Sequence, residues 1–279
     1  DSTARSPRET IPITFSFSEL GELRCPQSYG GAFAQRVRAI GFVLTDYCPA
    51  ACAHCYNNSS PKGTRRLSAE SVLQFVDSII TDGHPIGAVG LSGGETFSYP
   101  GLIELIAGLK SKGMFVSCNT GGAGLEWGQL SEAQAAGLDE IVFSADAFHD
   151  KFVEPEKLSS LVVRACAEFS YVTIKVADVS RASLVRKLRG LDRSLPPKAT
   201  LHAQRILPIG RGARVRSVHG DELREIVGSP TCGEDFERIG VNCDGRVYAC
   251  CAVGGFSPGH MIGEMESVDE VLRALRGFE

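Results

Sequence analysis

Residues 39–58 read "AIGFVLTDYCPAACAHCYNN". An apolar run of strand length leads straight into a loop carrying Cys48, Cys52 and Cys55, with no fourth cysteine close by. A structural zinc site wants four ligands and usually closes as two CxxC pairs. A disulfide framework wants an even number of cysteines in a small secreted chain. Neither pattern fits. Three thiolates leave one corner of a metal centre open, and the rest of the chain has to supply what fills it.

The run at 39–46 is the first of a series in which short apolar segments alternate with amphipathic ones. Strand-like runs follow at 86–94, 114–122, 138–146, 171–179 and 200–210, separated by helix-like stretches at 68–83, 100–113, 127–137, 156–169 and 183–195. The helical stretches show i, i+3, i+4 apolar spacing, and glycines at 83, 113 and 137 mark helix ends. Six strands alternating with five helices imply right-handed parallel βαβ crossovers. Periodicity alone leaves two architectures open, a doubly wound open sheet or a partial barrel. The rhythm stops after "GRGARVRS" (210–217), which predicts an α/β body over 39–217. Residues 218–279 hold Cys232, Cys243, Cys250 and Cys251 in a Gly-rich segment, then a helix-like tail. The "DG" at 244–245 between apolar runs predicts a hairpin. Residues 1–38 read as a polar leader or extension.

The chain has 279 residues, 43% hydrophobic and 22% charged, the balance of a soluble globular protein with a full core. A formal net charge of −4 argues against broad nucleic-acid or anionic-membrane binding. No apolar run of about 18 residues is present to span a membrane. The opening "DSTARSPRET" has no apolar h-region and does not read as a secretory signal. Ten cysteines without such a signal point to a reducing, cytoplasmic compartment, where thiols serve more often as metal ligands or catalysts than as bridges.

The Cx3Cx2C spacing, with His54 before the last cysteine, resembles the radical S-adenosylmethionine superfamily, over roughly residues 39–216. "GLSGGE" (90–95) at the second strand end resembles that family's GGE segment, and "SCNTGG" (117–122) and "FSAD" (143–146) stand at the next two strand ends. The resemblance implies a partial (β/α)6 TIM barrel with a [4Fe–4S] cluster on Cys48, Cys52 and Cys55. It also implies S-adenosylmethionine on the open iron, cleaved reductively to a 5′-deoxyadenosyl radical that takes a hydrogen from the substrate. The cofactor carries that chemistry and the protein positions it. By the same resemblance Gly93, Gly94 and Glu95 contact the methionine ammonium, while Ser117, Asn119 and Ser144 face the ribose and carboxylate. Two glycines would also let backbone approach a ligand closely. "SCNTGG" departs from the family's frequent T-N-G order. Arg205 on the last strand is a candidate partner for the cofactor carboxylate. His54 is expected to pack on the cluster or an apolar wall, and Asp146 and His149 face either the substrate or a surface loop. A flavodoxin or ferredoxin-type reductant is the implied electron source.

Cys232, twelve residues, Gly245, four residues, Cys250 resembles the start of the twitch and SPASM extensions of this superfamily. That implies a small C-terminal iron–sulfur extension with an auxiliary [4Fe–4S] cluster on Cys232, Cys243 and Cys250, and structural zinc as the alternative. No cysteine follows residue 251, so a twitch-like domain is the closer match. The fourth ligand is Cys25, an exogenous molecule or none. Adjacent residues on a strand point to opposite faces, which separates Cys251 from Cys250. Cys251 is then a core thiol or a hydrogen-atom donor, and Cys118 and Cys166 read as buried apolar thiols. The expected function is radical modification of a peptide or natural-product intermediate. Epimerisation with Cys251 as donor is the first choice, and dehydrogenation or cross-linking with the auxiliary cluster as electron acceptor the next. A non-catalytic iron–sulfur or zinc protein is the reading from another class. The 38 residues ahead of the body look short for the winged-helix module many peptide-modifying relatives carry.

Overall fold

The computed structural model describes residues 37–204, 206, 210–215, 238–249 and 261–276. Every strand and helix expected of the repeating part is present. The strands are β1 (Ala39–Val43), β2 (Ala88–Ser92), β3 (Phe115–Thr120), β4 (Glu140–Ser144), β5 (Tyr171–Ala177) and β6 (Ala199–Gln204). Between them lie α1 (Ala69–Thr81), α2 (Leu102–Ser111), α3 (Trp127–Ala135), α4 (Pro155–Glu168) and α5 (Arg181–Ser194). Local chemistry sets their ends. The Ser68 hydroxyl caps α1 by accepting from the Ser71 amide at 3.0 Å, and Glu126 with Gln129 forms a capping box on α3. Gly83, Gly113 and Gly137 each take positive φ just past a helix, and the next amide in each case reaches back five residues. This is the Schellman stop, which favours glycine because it demands the left-handed region.

The strand order is β6-β5-β4-β3-β2-β1-β7-β8-β9, and β1 to β6 are all parallel. A doubly wound sheet reverses its order at a switch point. Here the six strands follow one another without reversal, so right-handed crossovers place all the helices on one face, as in a barrel wall. The partial barrel is the architecture adopted.

Three further strands, β7 (Arg238–Val241), β8 (Arg246–Tyr248) and β9 (Met261–Glu264), continue the same sheet. β7 lies parallel to β1, with Ala39 opposite Arg238 and Phe42 opposite Val241, while β8 and β9 run antiparallel. The expected hairpin joins β7 to β8, with the Gly245 amide donating to the Asn242 carbonyl at 2.9 Å. The last helix, α6 (Val268–Arg276), packs on β9 and α1, and Arg276 pairs with Asp82 at the end of α1.

The two faces of the sheet have different chemistry. On the helix side Ile40, Phe42, Val89, Leu91, Val116, Cys118, Ile141, Phe143, Val172 and Ile174 are all buried, and Phe42 meets Phe75 of α1 edge-on. Each such apolar side chain contributes about 1.5–3 kcal/mol by leaving water. Strand alternation sends Gly41, Gly90, Ser92, Ser117, Asn119, Ser144, Thr173 and Lys175 to the other, concave face. A fully closed barrel fills its interior with branched apolar side chains. This one lines it largely with small and polar groups, with Val43 and Val142 as buried apolar members. Cys118 sits at 0% exposure on the helix side and Cys166 is buried on α4, so both are core thiols.

Candidate active site

The thiol loop leaves the carboxyl end of β1, and a short ladder pins its two ends together. Thr45 bridges Arg66 and Tyr47 bridges Ser60, with the Cys48 amide donating to the Ser60 carbonyl at 3.1 Å. Asp46 accepts from the Arg65 amide at 2.8 Å and from its Nε at 2.7 Å. Tyr56 hydrogen-bonds Ser92 at the end of β2 from inside the loop, and burial pushes its phenol up to about 12. From the far side of the barrel, Arg211 donates through Nε to the Cys52 carbonyl at 2.8 Å and through a terminal nitrogen to the Ser59 carbonyl at 2.7 Å. Its amide donates to the Cys55 carbonyl at 2.9 Å. Gly210 beside it has φ +56°, and a Cβ there would lie 2.2 Å from the Tyr56 carbonyl oxygen. In sequence this Gly-Arg marks only the end of the α/β rhythm. The available signal was an Arg next to Gly at the carboxyl end of the last strand.

Cys48, Cys52 and Cys55 are free thiols. Burial pushes Cys48 up to about 12 against the lowering effect of the Ala50 amide, so a cation at sulfur is what would hold it as thiolate at neutral pH. A lone zinc ion with Zn–S bonds of roughly 2.3 Å holds its thiolates about 3.8 Å apart. Among the described residues the three sulfurs do not converge within 4.8 Å as a set. Three soft thiol ligands in one loop are the donor set that an iron–sulfur cluster takes.

At the end of β2 the glycines serve the loop. A Cβ on Gly94 would fall 1.9 Å from the Tyr47 carbonyl oxygen and 3.0 Å from the Cys48 Cβ, and one on Gly93 would meet the Thr45 carbonyl at 3.0 Å. The Gly94 amide donates to the Thr45 carbonyl at 2.7 Å and the Glu95 amide to the Tyr47 carbonyl at 2.9 Å. The close approach that these glycines permit is to the thiol loop itself, so their missing side chains make room for backbone. Glu95 is 1% exposed. Its carboxylate accepts from Thr120 Oγ1 at 2.7 Å, the Phe97 amide at 3.1 Å and the Gly121 amide at 3.2 Å, which ties the end of β2 to the end of β3.

Asn119 lies on the concave face near the end of β3, and its buried Oδ1 has no hydrogen-bond partner among the described residues. Ser117 lies deeper, level with Gly90 and Glu140, and is 4% exposed. Over Gly90 the space is open, with only the Ser117 Oγ within reach of a Cβ, at 3.6 Å. An orphaned acceptor beside an open floor, next to three thiols, fits a polar ligand seated against a cluster. Ser144 closes β4 and is partly exposed. Beyond it Asp146 is 3% exposed and accepts from the Phe148 amide at 3.0 Å, with His149 Nδ1 at 2.9 Å. His149 also lies near Cys52. Burial pushes this imidazole down, but Asp146 and Cys52 outweigh it and hold His149 up at about 10. Asp146 and His149 are thus turned inward to the thiol loop. His54 stacks on Phe148 with ring centroids 4.4 Å apart and has Nε2 3.7 Å from Asp146, so it packs on an apolar wall.

Cys243 is 3% exposed in the turn after β7, beside Asp46, Arg65 and Asn57 of the thiol loop. Burial pushes its thiol up to about 11. Cys25, Arg205, Cys232, Cys250 and Cys251 lie outside the described residues.

Residues 42–178 match the Radical SAM superfamily. The PqqA peptide cyclase of Ruegeria pomeroyi is 34% identical over 102 residues, 36% of this chain and 27% of that relative's length. The chain therefore spans about a quarter of the curated relative it matches. Among solved structures, Streptococcus suis SuiB bound to S-adenosylmethionine superposes with a TM-score of 0.66 at 10% identity, over 88% of this chain and 69% of that one. The anSMEcpe enzyme with bound S-adenosylmethionine and Cp18Cys peptide gives 0.58 at 14% identity, over 86% and 80%. These two likenesses are of fold.

Proposed function

The chain carries a radical SAM domain, and from that premise we propose that it cleaves S-adenosylmethionine reductively and uses the resulting radical to modify a peptide. The observation that carries this reading is the thiol loop, three free thiols pinned from both sides at the carboxyl end of β1 above an open polar floor. The bound cluster and S-adenosylmethionine would supply the electron and the 5′-deoxyadenosyl radical. Cys48, Cys52 and Cys55 would hold three irons of that cluster. Asn119 Oδ1 would accept a hydrogen bond from the ligand, with Ser144 at the same rim. Gly93, Gly94 and Glu95 would act by fixing the loop and the β2–β3 rim against which S-adenosylmethionine sits.

A peptide substrate is supported by the PqqA peptide cyclase relatives, and by the peptides named with SuiB and anSMEcpe. Two outcomes follow from that substrate. Epimerisation would use Cys251 as hydrogen donor, with Cys250, Cys232 and Cys243 on an auxiliary cluster. Cross-linking would use that cluster as electron acceptor, and the cyclase relatives favour it. A thiol hydrogen exchanges with water, so turnover in deuterated water separates the two. Deuterium at an inverted carbon, lost in Cys251→Ala, marks epimerisation, whereas a product two hydrogens lighter marks dehydrogenation or cross-linking.

The class is tested by anaerobic reconstitution, reduction and addition of S-adenosylmethionine. Protein carrying both clusters should hold about eight irons and release 5′-deoxyadenosine, and the triple Cys48, Cys52, Cys55→Ala variant about four and none. Zinc in place of iron, or no 5′-deoxyadenosine, would return the chain to a non-catalytic metal protein.

A further inference from the structure

The stretch that leads to Cys48 runs between two different neighbours. The Thr45 and Tyr47 carbonyls face the end of β2, accepting from the Gly94 and Glu95 amides at 2.7 and 2.9 Å. The Asp46 carbonyl and the Cys48 amide face the other way, to residues 60–66. There Asp46 accepts from the Ser60 amide, and the Cys48 amide donates to the Ser60 carbonyl, each at 3.1 Å. This strap carries Lys62, Arg65 and Arg66, all exposed. Resting on the reading above, we propose that the strap is the docking face for a one-electron carrier protein with an acidic surface around its redox group. In the transfer the carrier loses one electron and the cluster gains it, with no bond formed between them.

The charge of the strap stands against that of the whole molecule. From Tyr47 to Ala69 the sequence holds those three cations and no Asp or Glu, in a chain of net charge −4. The next acid, Glu70, opens α1 and accepts from Gln74 at 3.1 Å. Arg65 Nε lies 2.7 Å from Asp46, and a terminal nitrogen of Arg65 lies 3.9 Å from Asp244, which Arg246 approaches at 3.7 Å. The two carboxylates are the more buried partners, at 12% and 22% side-chain exposure against 53% for both arginines. The face shown to solvent is therefore positive. An acidic protein is repelled by the chain as a whole and drawn only where the sign is reversed, which fixes its orientation as well as its rate of approach.

Position selects an electron carrier as the occupant. Glu95, Asn119 and Ser144 lie at the ends of β2, β3 and β4, so S-adenosylmethionine and substrate have that flank of the thiol loop. The strap lies on the opposite flank, towards the β7–β8 turn that Arg65 reaches through Asp244. The Ser60 carbonyl that accepts from the Cys48 amide accepts also from the Gly63 amide at 2.9 Å. One hydrogen bond thus separates the turn that bears Lys62 from a cluster ligand, and electron transfer falls steeply with distance. The turn presses hard on its neighbour, since a Cβ on Gly63 would stand 2.2 Å from the Asp46 carbonyl oxygen and 2.6 Å from the Tyr47 nitrogen. Tyr47, 38% exposed, adds an aromatic side chain next to Cys48, a residue type enriched where proteins meet. Residues 62–66 span at most about 17 Å. An electron-transfer contact buries less than about 1,200 Å² in total, and a patch of that size takes in all three cations.

The experiment is stopped-flow reduction of the anaerobically reconstituted full chain, at equal iron, by reduced flavodoxin, by reduced ferredoxin and by reduced methyl viologen. Methyl viologen is a small cation that the strap does not attract. With a protein carrier the parent's rate should fall as salt rises. Lys62→Glu combined with Arg66→Glu should slow the carrier by about tenfold or more at low salt and remove the salt dependence. The double Gln variant should fall between, and the methyl viologen rate should be the same in all three proteins. Equal carrier rates in the parent and the double Glu variant would overturn the proposal. So would equal losses with carrier and methyl viologen, because the strap would then act on the cluster and not on docking. Reduction of the parent by methyl viologen but by neither carrier also overturns it. Unchanged carrier rates with weakened binding of a poly-glutamate probe would give the strap to an acidic peptide instead. A parent that methyl viologen reduces, yet that releases no 5′-deoxyadenosine, removes the functional reading on which this rests.

Discussion

The ends of β2 and β4 solve one problem in opposite ways. Each buries a carboxylate beside the thiol loop, Glu95 at 1% exposure and Asp146 at 3%. The hydrogen bonds to Glu95 come from uncharged donors, the Thr120 hydroxyl and the Phe97 and Gly121 amides, and the charge of His149 acts on it only as the weakest lowering influence. Burial pushes its acid up, and those hydrogen bonds pull it only part of the way back. Burial pushes Asp146 up as well, but the His149 hydrogen bond and the charges of His149 and His54 outweigh it and hold the acid below its ordinary value. The sign is set by the charge of the partners, since burial is alike at both ends. The β2 end is a brace between strands, and the β4 end is a charge pair on the thiol-loop side of the sheet.

The largest expected effect lies at the brace. Gly94→Val places a branched side chain on the Tyr47 carbonyl and the Cys48 Cβ, and backbone cannot step aside as a side chain tip can. Overpacking of this kind should cost about 3 kcal/mol or more. Urea unfolding of the metal-free chain and iron analysis after reconstitution should report lower stability and lost loading together. Full iron with an unchanged midpoint would show that the loop does not depend on this contact.

Next is Glu95→Ala, which strands the Thr120 hydroxyl and two amides in a buried site. At about 1–3 kcal/mol for a buried group left unsatisfied, the variant should lose several kcal/mol, and Glu95→Gln, which retains an acceptor oxygen, clearly less. Equal losses in the two variants would mean that the carboxylate's negative charge, absent from both, is what the site needs.

The smallest effect is the one that separates the two ends most cleanly, their dependence on pH. Glu95 is raised from 4.5, so its contribution is fully present below that value and is lost as pH rises through the raised one. Asp146 is lowered from 3.8, so its contribution is present above that value and is lost as pH falls through the lowered one. Tm measured against pH should therefore lose a falling slope above pH 4.5 in Glu95→Gln and a rising slope below 3.8 in Asp146→Asn. Parallel curves for the two variants would erase the distinction.

The alternation of strand and helix was legible because each element carries its own period and stop, down to the three glycines that end α1, α2 and α3. The choice of barrel over doubly wound sheet was not, since strand order is a property of pairing between segments that periodicity treats alike. The thiol loop announced itself by spacing. The residues that hold it did not, because Arg211 reaches Cys52 across more than 150 positions of chain and β7 meets β1 from nearly 200 away. Gly94 was visible as a residue that frees space, but only the fold shows that the space is taken by Tyr47. In sequence Asp146 and His149 face either the substrate or a surface loop, and the turn that buries Asp146 against His149 depends on a local hydrogen-bonded geometry that residue types alone do not fix.

The consecutive strand order has a consequence for how a long molecule reaches the concave floor. A closed barrel can be entered only through its mouth, so a polymer must offer a free end or a tight loop narrow enough to thread. Here β6 and β9 are the borders of the sheet among the described residues, and the wall does not meet itself. Among the described residues a sheet of that shape keeps its two borders apart, so its concave floor has a flank as well as a mouth.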